Sequence, residues 1–259
     1  MEETPPIIEN RPPETQRQST SLAARLLNVF AIPGDVFEEV KNSAMCTANW
    51  LVPALLLIVV GCIGASLVYS QPAIQQQVRE MQDKVMDKLV EKGRLTKEQA
   101  DQQREAGAVS SRIGAYIGPV FYALASPFWW GFLVWLLGTK VLKGSFPFMK
   151  AVEVVGLGNA IAILGSVVTT LLMVSLGSLG ATPSPALLVK DYDPQKTSQA
   201  LLQLPNVITL WLLAVRSIGL AKLGGTRFVP AAVWVFGLWV LQTSVLLGIG
   251  LAMKAMLGL

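Results

Sequence analysis

Residues 50–69, WLVPALLLIVVGCIGASLVY, carry no charge and constrain the fold more than any other stretch. At 1.5 Å per residue, about 20 residues of helix measure roughly 30 Å, the hydrocarbon thickness of a bilayer. A helix covering a soluble core keeps a polar stripe, and this run has none. Lipid is therefore its matching solvent. Pro53 falls in the first turn, where a missing N–H costs little. Trp50 and Tyr69 bracket the run as interfacial aromatics do.

Composition extends that reading to the rest of the chain. It is 52% hydrophobic and 15% charged, against about 25% charge in an average soluble domain. Four later apolar stretches, at 113–139, 151–179, 201–223 and 229–253, are expected to span as well. The expected fold is all-α: a polytopic membrane protein with a five-helix transmembrane bundle and an extramembrane helical hairpin after the first span. The expected organisation is a disordered tail over 1–20, amphipathic pre-membrane helices over 21–49, and a membrane domain over 50–259 with a soluble hairpin inserted at 71–111.

The tail is polar, proline-bearing and aperiodic. It has no apolar core of the kind a cleavable signal peptide needs, so the first span is expected to act as the insertion signal. Beyond it, Leu22, Leu26, Val29 and Phe30 share one helical face, with Arg25 and Asn28 turned away. A second short helix follows from residue 36. Asp35 is its expected N-cap, Glu38 completes a capping-box-like pattern, and Val36, Phe37 and Val40 form its apolar side. Two such helices either lie in the membrane surface or pack under the bundle, and the sequence leaves both open.

Between the first two spans the character changes. Residues 71–112 hold eight basic residues against seven acids, a nearly neutral, solvated surface. Ile74, Val78, Met81, Val85 and Leu89 recur at three- and four-residue spacing as one apolar stripe. Gly93 stands where a helix C-cap belongs, and Thr96 with Gln99 reads as the capping box of the next helix. The stripe can pack on that second helix, on a copy of itself or on a partner.

In the second span Gly114 and Gly118 have the GxxxG spacing that permits close helix approach, and Pro119 and Pro127 are expected to kink or break the helix. Five spans put the two ends on opposite sides. Lys140, Lys143, Lys150, Lys222 and Arg227, with Arg25 and Lys41, then fall on the side of the amino end. In the opposing 180–200 loop, Lys190 and Lys196 are offset by Asp191 and Asp193. By the positive-inside rule the amino terminus is cytoplasmic.

Chemistry is constrained mostly by what is missing. The chain has no histidine, hence no HExxH zinc site and not the commonest general base. It has no GxSxG elbow, no P-loop and no aspartate within an expected span. No catalytic residue, cofactor or metal ligand is expected. Cys46 and Cys62, if on one helix, stand roughly 24 Å apart, too far for a disulfide, and read as two small buried hydrophobes. The net charge of +4 has no basic run behind it, so it reads as loop charge facing anionic lipid and not as a nucleic-acid footprint.

The leads are ionisable groups inside spans, which are costly in lipid. Arg216 and Glu153 lie at compatible depths and form a candidate intramembrane ion pair. The alternatives for Arg216 are snorkelling to the headgroups or a role in transport. Asn159, Gln242, Thr243 and Ser244 form a candidate polar seam, either interhelical hydrogen-bond glue at about 1 kcal/mol or less per bond or part of a substrate path.

Three pieces resemble the Yip (Ypt-interacting protein) domain family over about residues 25–255. The first is Pro33 and Phe37 followed by Trp50–Leu51–Val52–Pro53. The second is the turn Lys143–Gly144–Ser145–Phe146. The third is Trp211–Leu212–Leu213 leading to Ser217–Ile218–Gly219–Leu220–Ala221 and Gly224–Gly225–Thr226. The hairpin looks like an insertion relative to the family, and many relatives carry a proline near Asn159–Ala160. The resemblance implies five spans and a cytoplasmic amino terminus, and for a bacterial-type member a place in the inner (plasma) membrane. Eukaryotic relatives bind Rab-type GTPases and trafficking partners, and some bacterial relatives are thought to accompany exporters. The implied function is a non-enzymatic membrane scaffold or accessory protein. Its expected partners are the lipid bilayer and an unidentified membrane or soluble protein engaged through the 71–111 hairpin, with no nucleic acid. The alternative is a transport protein or a subunit of a transporter or exporter complex.

Overall fold

The computed structural model describes residues 20–189, 192–193 and 196–257. All but Thr20 of the expected tail lies outside them. The described residues form ten α-helices and no strand: α1 (Leu22–Ala31), α2 (Pro33–Asn42), α3 (Ala48–Tyr69), α4 (Pro72–Glu91), α5 (Lys97–Leu136), α6 (Phe148–Gly158), α7 (Ala160–Leu176), α8 (Thr197–Leu201), α9 (Val207–Gly224) and α10 (Phe228–Leu257). Five helical segments are long and apolar enough to cross a membrane: Ala48–Tyr69, Lys97–Val141, Phe148–Leu176, Val207–Gly224 and Phe228–Met256. The protein is an all-α, multi-pass membrane protein.

The spans alternate in direction, so one end of the bundle gathers α1, α2 and the 142–147 turn, and the other gathers α4 with the described residues between α7 and α9. The first is called the α1–α2 end below and the second the hairpin end. At the centre, α3 packs on α5, α6 and α7, and α9 packs on α2, α6 and α10. The α10 helix is an edge rod. Ala231 and Val235 are buried against the bundle, while Val233, Leu241 and Leu246 are more than half exposed, as lipid-facing side chains are.

The pre-membrane helices pack into the bundle. Val29, Phe37 and Val40 are fully buried in the main core beside Val154, Leu213 and Leu220. Lys41 Nζ donates to the Lys222 carbonyl at 2.9 Å, tying α2 to the end of α9. Leu27 and Ile32 remain exposed on the outer side. Asp35 does not cap α2, because the helix begins two residues earlier with Pro33 in its first turn; proline's fixed φ and absent N–H suit that position. Ser21 caps α1 instead, its hydroxyl accepting from Ala24 N–H. Arg25, expected to turn away from the apolar face, is buried.

The second span is part of a single 40-residue helix, α5. Neither Pro119 nor Pro127 breaks it. Each removes one backbone hydrogen bond, and the neighbouring helices hold the axis. Opposite Pro119 stands Gly61, where a Cβ would fall 2.6 Å from the ring, so glycine makes room for it. The expected close approach at Gly114 and Gly118 does not occur: a Cβ at either would meet nothing within 4 Å. Close approach is made at Gly131, Gly156 and Gly219, where a Cβ would overlap Val152, Trp50 and Val154. The helix ends in a π-helical turn, Leu137–Val141, with Thr139 Oγ1 donating back to the Trp135 carbonyl at 2.7 Å.

The interruption falls in the third span, without a proline. Asn159 separates α6 from α7, its N–H shared between the carbonyls of Val155 and Gly156. At the hairpin end, α4 and the first half of α5 run against each other. Gly93 takes the left-handed conformation (φ +64°), with Arg94 N–H closing on the Leu89 carbonyl. Thr96 and Gln99 form a reciprocal capping box. Ile74 and Leu89 are buried, and the rest of the apolar stripe is half-buried. Cys46 precedes α3, and both cysteines are free and half-buried, not core residues.

Candidate functional site: buried charges inside the bundle

A chain of polar side chains threads the α1–α2 end. The Glu39 carboxylate on α2 accepts from Thr20 N–H and from Arg25 Nη2, both at 2.9 Å. Arg25 Nη1 donates at 3.2 Å to Asn49 Oδ1, at the start of α3. Asn49 Nδ2 donates at 2.7 Å to Glu153 Oε2 on α6. Lys150, one turn earlier on α6, approaches Glu153 Oε1 at 3.2 Å and donates to the Ala44 carbonyl at 3.0 Å. Asn49 is fully buried and Glu153 is 1% exposed. Two cations and two carboxylates balance within this chain, as buried charges require. Burial raises the Glu39 carboxyl, but the hydrogen bonds from Arg25 and Thr20 outweigh it and hold the group below its ordinary value.

Glu153 and Arg216 are thus not each other's partners. Val154 faces Gly219, and Gly158 faces Val215, so the antiparallel register sets Arg216 about one turn beyond Glu153. There its Nη2 donates to Asn159 Oδ1 at 3.4 Å, and its guanidinium lies 4.3 Å from the centre of the Trp130 ring. Tyr122 also interacts with it. Asn159 Nδ2 donates to Ser126 Oγ at 3.1 Å. Arg216 is 4% exposed, and among the described residues its Nε has no hydrogen-bond partner. Among the described residues no carboxylate lies within 4 Å of it. The expected seam is split likewise. Asn159 is interior, whereas Gln242 lies on the edge helix α10, where it accepts from Trp129 Nε1 at 3.5 Å. Thr243 is half-buried beside it and Ser244 is exposed.

Sequence reasoning missed Arg25, Glu39, Asn49 and Lys150. Lys150 was within reach, since Lys and Glu three apart on a helix are neighbours. Asn49 gave one signal, a polar amide directly before an uncharged run.

The hairpin end is pinned by Gln77, whose Nε2 donates to the Gly177 carbonyl at 2.6 Å while its Oε1 accepts from Leu179 N–H at 3.2 Å. Gln82 Nε2 donates to Ser111 Oγ at 2.7 Å across the hairpin. Arg104 meets the carboxylates of Asp83, Asp87 and Asp101. A cavity of about 810 Å³ lies between α4 and residues 176–189, with Tyr192, Asp193 and Lys196 also lining it, and a second of about 590 Å³ lies between α3, α5, α7 and α9. Burial, then the nearby Asp193 carboxylate, raises the Tyr192 phenol at the first cavity.

The family model of the Yip1 domain matches residues 27–250, most of the chain. The chain belongs to the Yip1 domain family. No curated protein and no solved structure matches it. Yip1 domain proteins sit in lipid bilayers and are not known as enzymes. In this Yip1 domain the short motifs that carry the resemblance meet in space at the α1–α2 end. Phe37 lies beside Gly219, Trp50 crosses Gly156, the Phe146 ring fills the space above Gly138, and Gly144 rests on the Gly224 backbone.

Proposed function

We infer that this Yip1 domain protein is a non-enzymatic scaffold or accessory subunit of the membrane, with its α1–α2 end in the cytoplasm and a bacterial inner (plasma) membrane as its setting. The 71–111 hairpin is its partner-facing element. The observation that carries the reading is a core closed by glycine. Gly156 lies against the Trp50 backbone, and a Cβ at Gly131 would come within 3.1 Å of Val152 Cα. Helices in such contact leave no passage between them. A transporter would need a hydrated path, and the cavity at the level of the spans is walled mainly by glycine, alanine and aliphatic side chains. The exposed faces of α4 and of the first turns of α5 carry Arg79, Glu80, Lys88, Glu91 and Glu98, a charged surface suited to a protein partner.

Deleting residues 72–110 tests the hairpin. Tyr69 Oη donates to the Ser111 carbonyl at 3.3 Å, so the two ends to be joined are neighbours. The deleted chain is expected to insert and fold, yet to lose the proteins that cross-link to the intact chain in its native membrane. If it keeps every cross-linked partner, the hairpin is not the docking element.

A further inference from the structure

Arg216 is 4% exposed, and among the described residues no carboxylate lies within 4 Å of it. Its neighbours are an amide, an indole and a phenol: Asn159, Trp130 and Tyr122. A buried cation without a counter-charge is costly and favours a ligand that brings one. Toward the α1–α2 end, the lining of the cavity within the spans stops at Tyr122 on α5, Ala162 on α7 and Leu212 on α9. About one turn further stand Ser126, Asn159 and Arg216, linked by the two hydrogen bonds of the Asn159 amide. This polar cluster is the floor of the cavity. A helical side chain leans toward the N-terminus of its own helix, which for α9 is the hairpin end, so Arg216 leans toward the cavity. Tyr122 connects the two. It is 46% exposed, lines the cavity and interacts with Arg216. A guanidinium donates and cannot accept. The Tyr122 oxygen therefore faces Arg216 as the acceptor, and its own proton is left for a group in the cavity.

We propose that this cavity binds one long-chain monocarboxylate, a free fatty acid, whose carboxylate accepts from the Tyr122 hydroxyl in front of Arg216 and whose chain lies along α3. Charge and shape select the class. One carboxylate balances one guanidinium, whereas an alcohol leaves Arg216 uncompensated and an amine repels it. The walls above the floor are mainly glycine, alanine and aliphatic side chains, which suit a chain without polar groups. Along α3 they extend from Leu57 to Tyr69, roughly 18 Å of helix, room for an extended acyl chain. The cavity's volume of about 590 Å³ falls in the range of small-molecule sites, about 300–1,000 Å³. One side is open. Gly61 and Gly64 are closed by Pro119 and Thr170, whereas a Cβ at Gly118 meets nothing within 4 Å. A chain in that space restores contacts that an empty apolar groove lacks.

The test uses the full chain, delipidated in mild non-ionic detergent and titrated with palmitate, hexadecanol or hexadecylamine, with bound ligand counted by native mass spectrometry. One palmitate per chain is expected, held about tenfold more tightly than hexadecanol, as one charge-assisted bond predicts, with hexadecylamine the weakest. Tyr122→Phe keeps the ring and loses only the hydroxyl, and is expected to bring palmitate down to the level of hexadecanol. Arg216→Met removes the charge and is expected to do the same. Gly118→Leu fills the open side without touching a neighbour and is expected to weaken palmitate and hexadecanol alike, at least about tenfold, as loss of the buried chain requires. Gly237→Leu, on α10 and equally free of neighbours, is expected to change nothing. Equal retention of palmitate and hexadecanol by the parent chain overturns the proposal, as does wild-type binding in Gly118→Leu. Should Gly118→Leu or Arg216→Met fail to fold, an unchanged preference for palmitate in Tyr122→Phe overturns it alone.

Discussion

Replacing Glu153 by glutamine removes one charge from the α1–α2 end and changes almost no volume. The new side-chain amide keeps an oxygen for Asn49 Nδ2, so that 2.7 Å bond survives. Lys150 fares worse. It is 5% exposed, and it is left with two neutral acceptors, the Ala44 carbonyl at 3.0 Å and the retained side-chain oxygen at 3.4 Å, and no counter-charge. Stranding a buried charge in this way costs about 3–5 kcal/mol, and the retained bonds place the cost near the lower figure. At about 2–4 °C per kcal/mol for a chain of this size, the melting temperature is expected to fall by about 6–12 °C. Labelling of the free, half-buried Cys46 and Cys62 by a thiol-reactive dye during heating reads the transition in detergent. Lys150→Met alone strands Glu153 and is expected to cost a similar amount. The double variant Glu153→Gln, Lys150→Met removes both charges together and is expected to return to within about 1–2 kcal/mol of the parent. A loss under about 1 kcal/mol in Glu153→Gln, or a double variant as unstable as the two singles summed, refutes the claim that the pair is desolvated and mutually compensated.

Glu39 gives a pH dependence. Its carboxyl is held below the ordinary value of 4.5 by Arg25 and Thr20, so the stabilisation is complete above that value and is lost as pH falls through the lower, folded value. Melting temperatures at about pH 6 and pH 4 should differ less in Glu39→Gln than in the parent; an unchanged difference counts against the bond network. Gly131→Ala forces a Cβ against the Val152 backbone and should cost about 1–3 kcal/mol, while Gly114→Ala meets nothing and should be neutral or gain up to about 1 kcal/mol from helix propensity. Both are read by the same thermal assay, and the opposite order refutes the packing assignment. Trp130→Leu removes the ring beneath Arg216 and should lose about 2 kcal/mol of cation–π attraction, most of it recovered when Arg216→Met is added; a full additive loss places the stabilisation elsewhere.

Much of the architecture was legible in short stretches. The run at 50–69 needs only its length and lack of charge, and α3 extends it by two residues. Gly93 and the Thr96–Gln99 box lie within one turn of the ends they close. The buried site was not legible in the same way. Asn49 and Glu153 stand 104 residues apart in sequence, and Arg216 meets Asn159 because Val154 happens to face Gly219. Hydropathy sets how deep a residue sits, to within about a turn, but not which way around the helix it points. That is why two residues of compatible depth were paired when the helix register gives each a different neighbour. The break at Asn159 was hidden for a related reason: no proline marks it.

The sequence by itself determined the solvent, the number of rods and most of their ends. Those follow from apolar length, caps and turns. The tertiary structure alone decided which face of each rod is inside. In a soluble protein the polar stripe announces the outer face, because water rewards it. In lipid both faces are greasy, and apolarity no longer separates inside from outside. The α10 helix has no polar stripe along its length, yet its Ala231 and Val235 are buried while Leu241 and Leu246 face outward. What separates those faces is shape: where a glycine lets a neighbour's backbone in, and where one buried amide finds another.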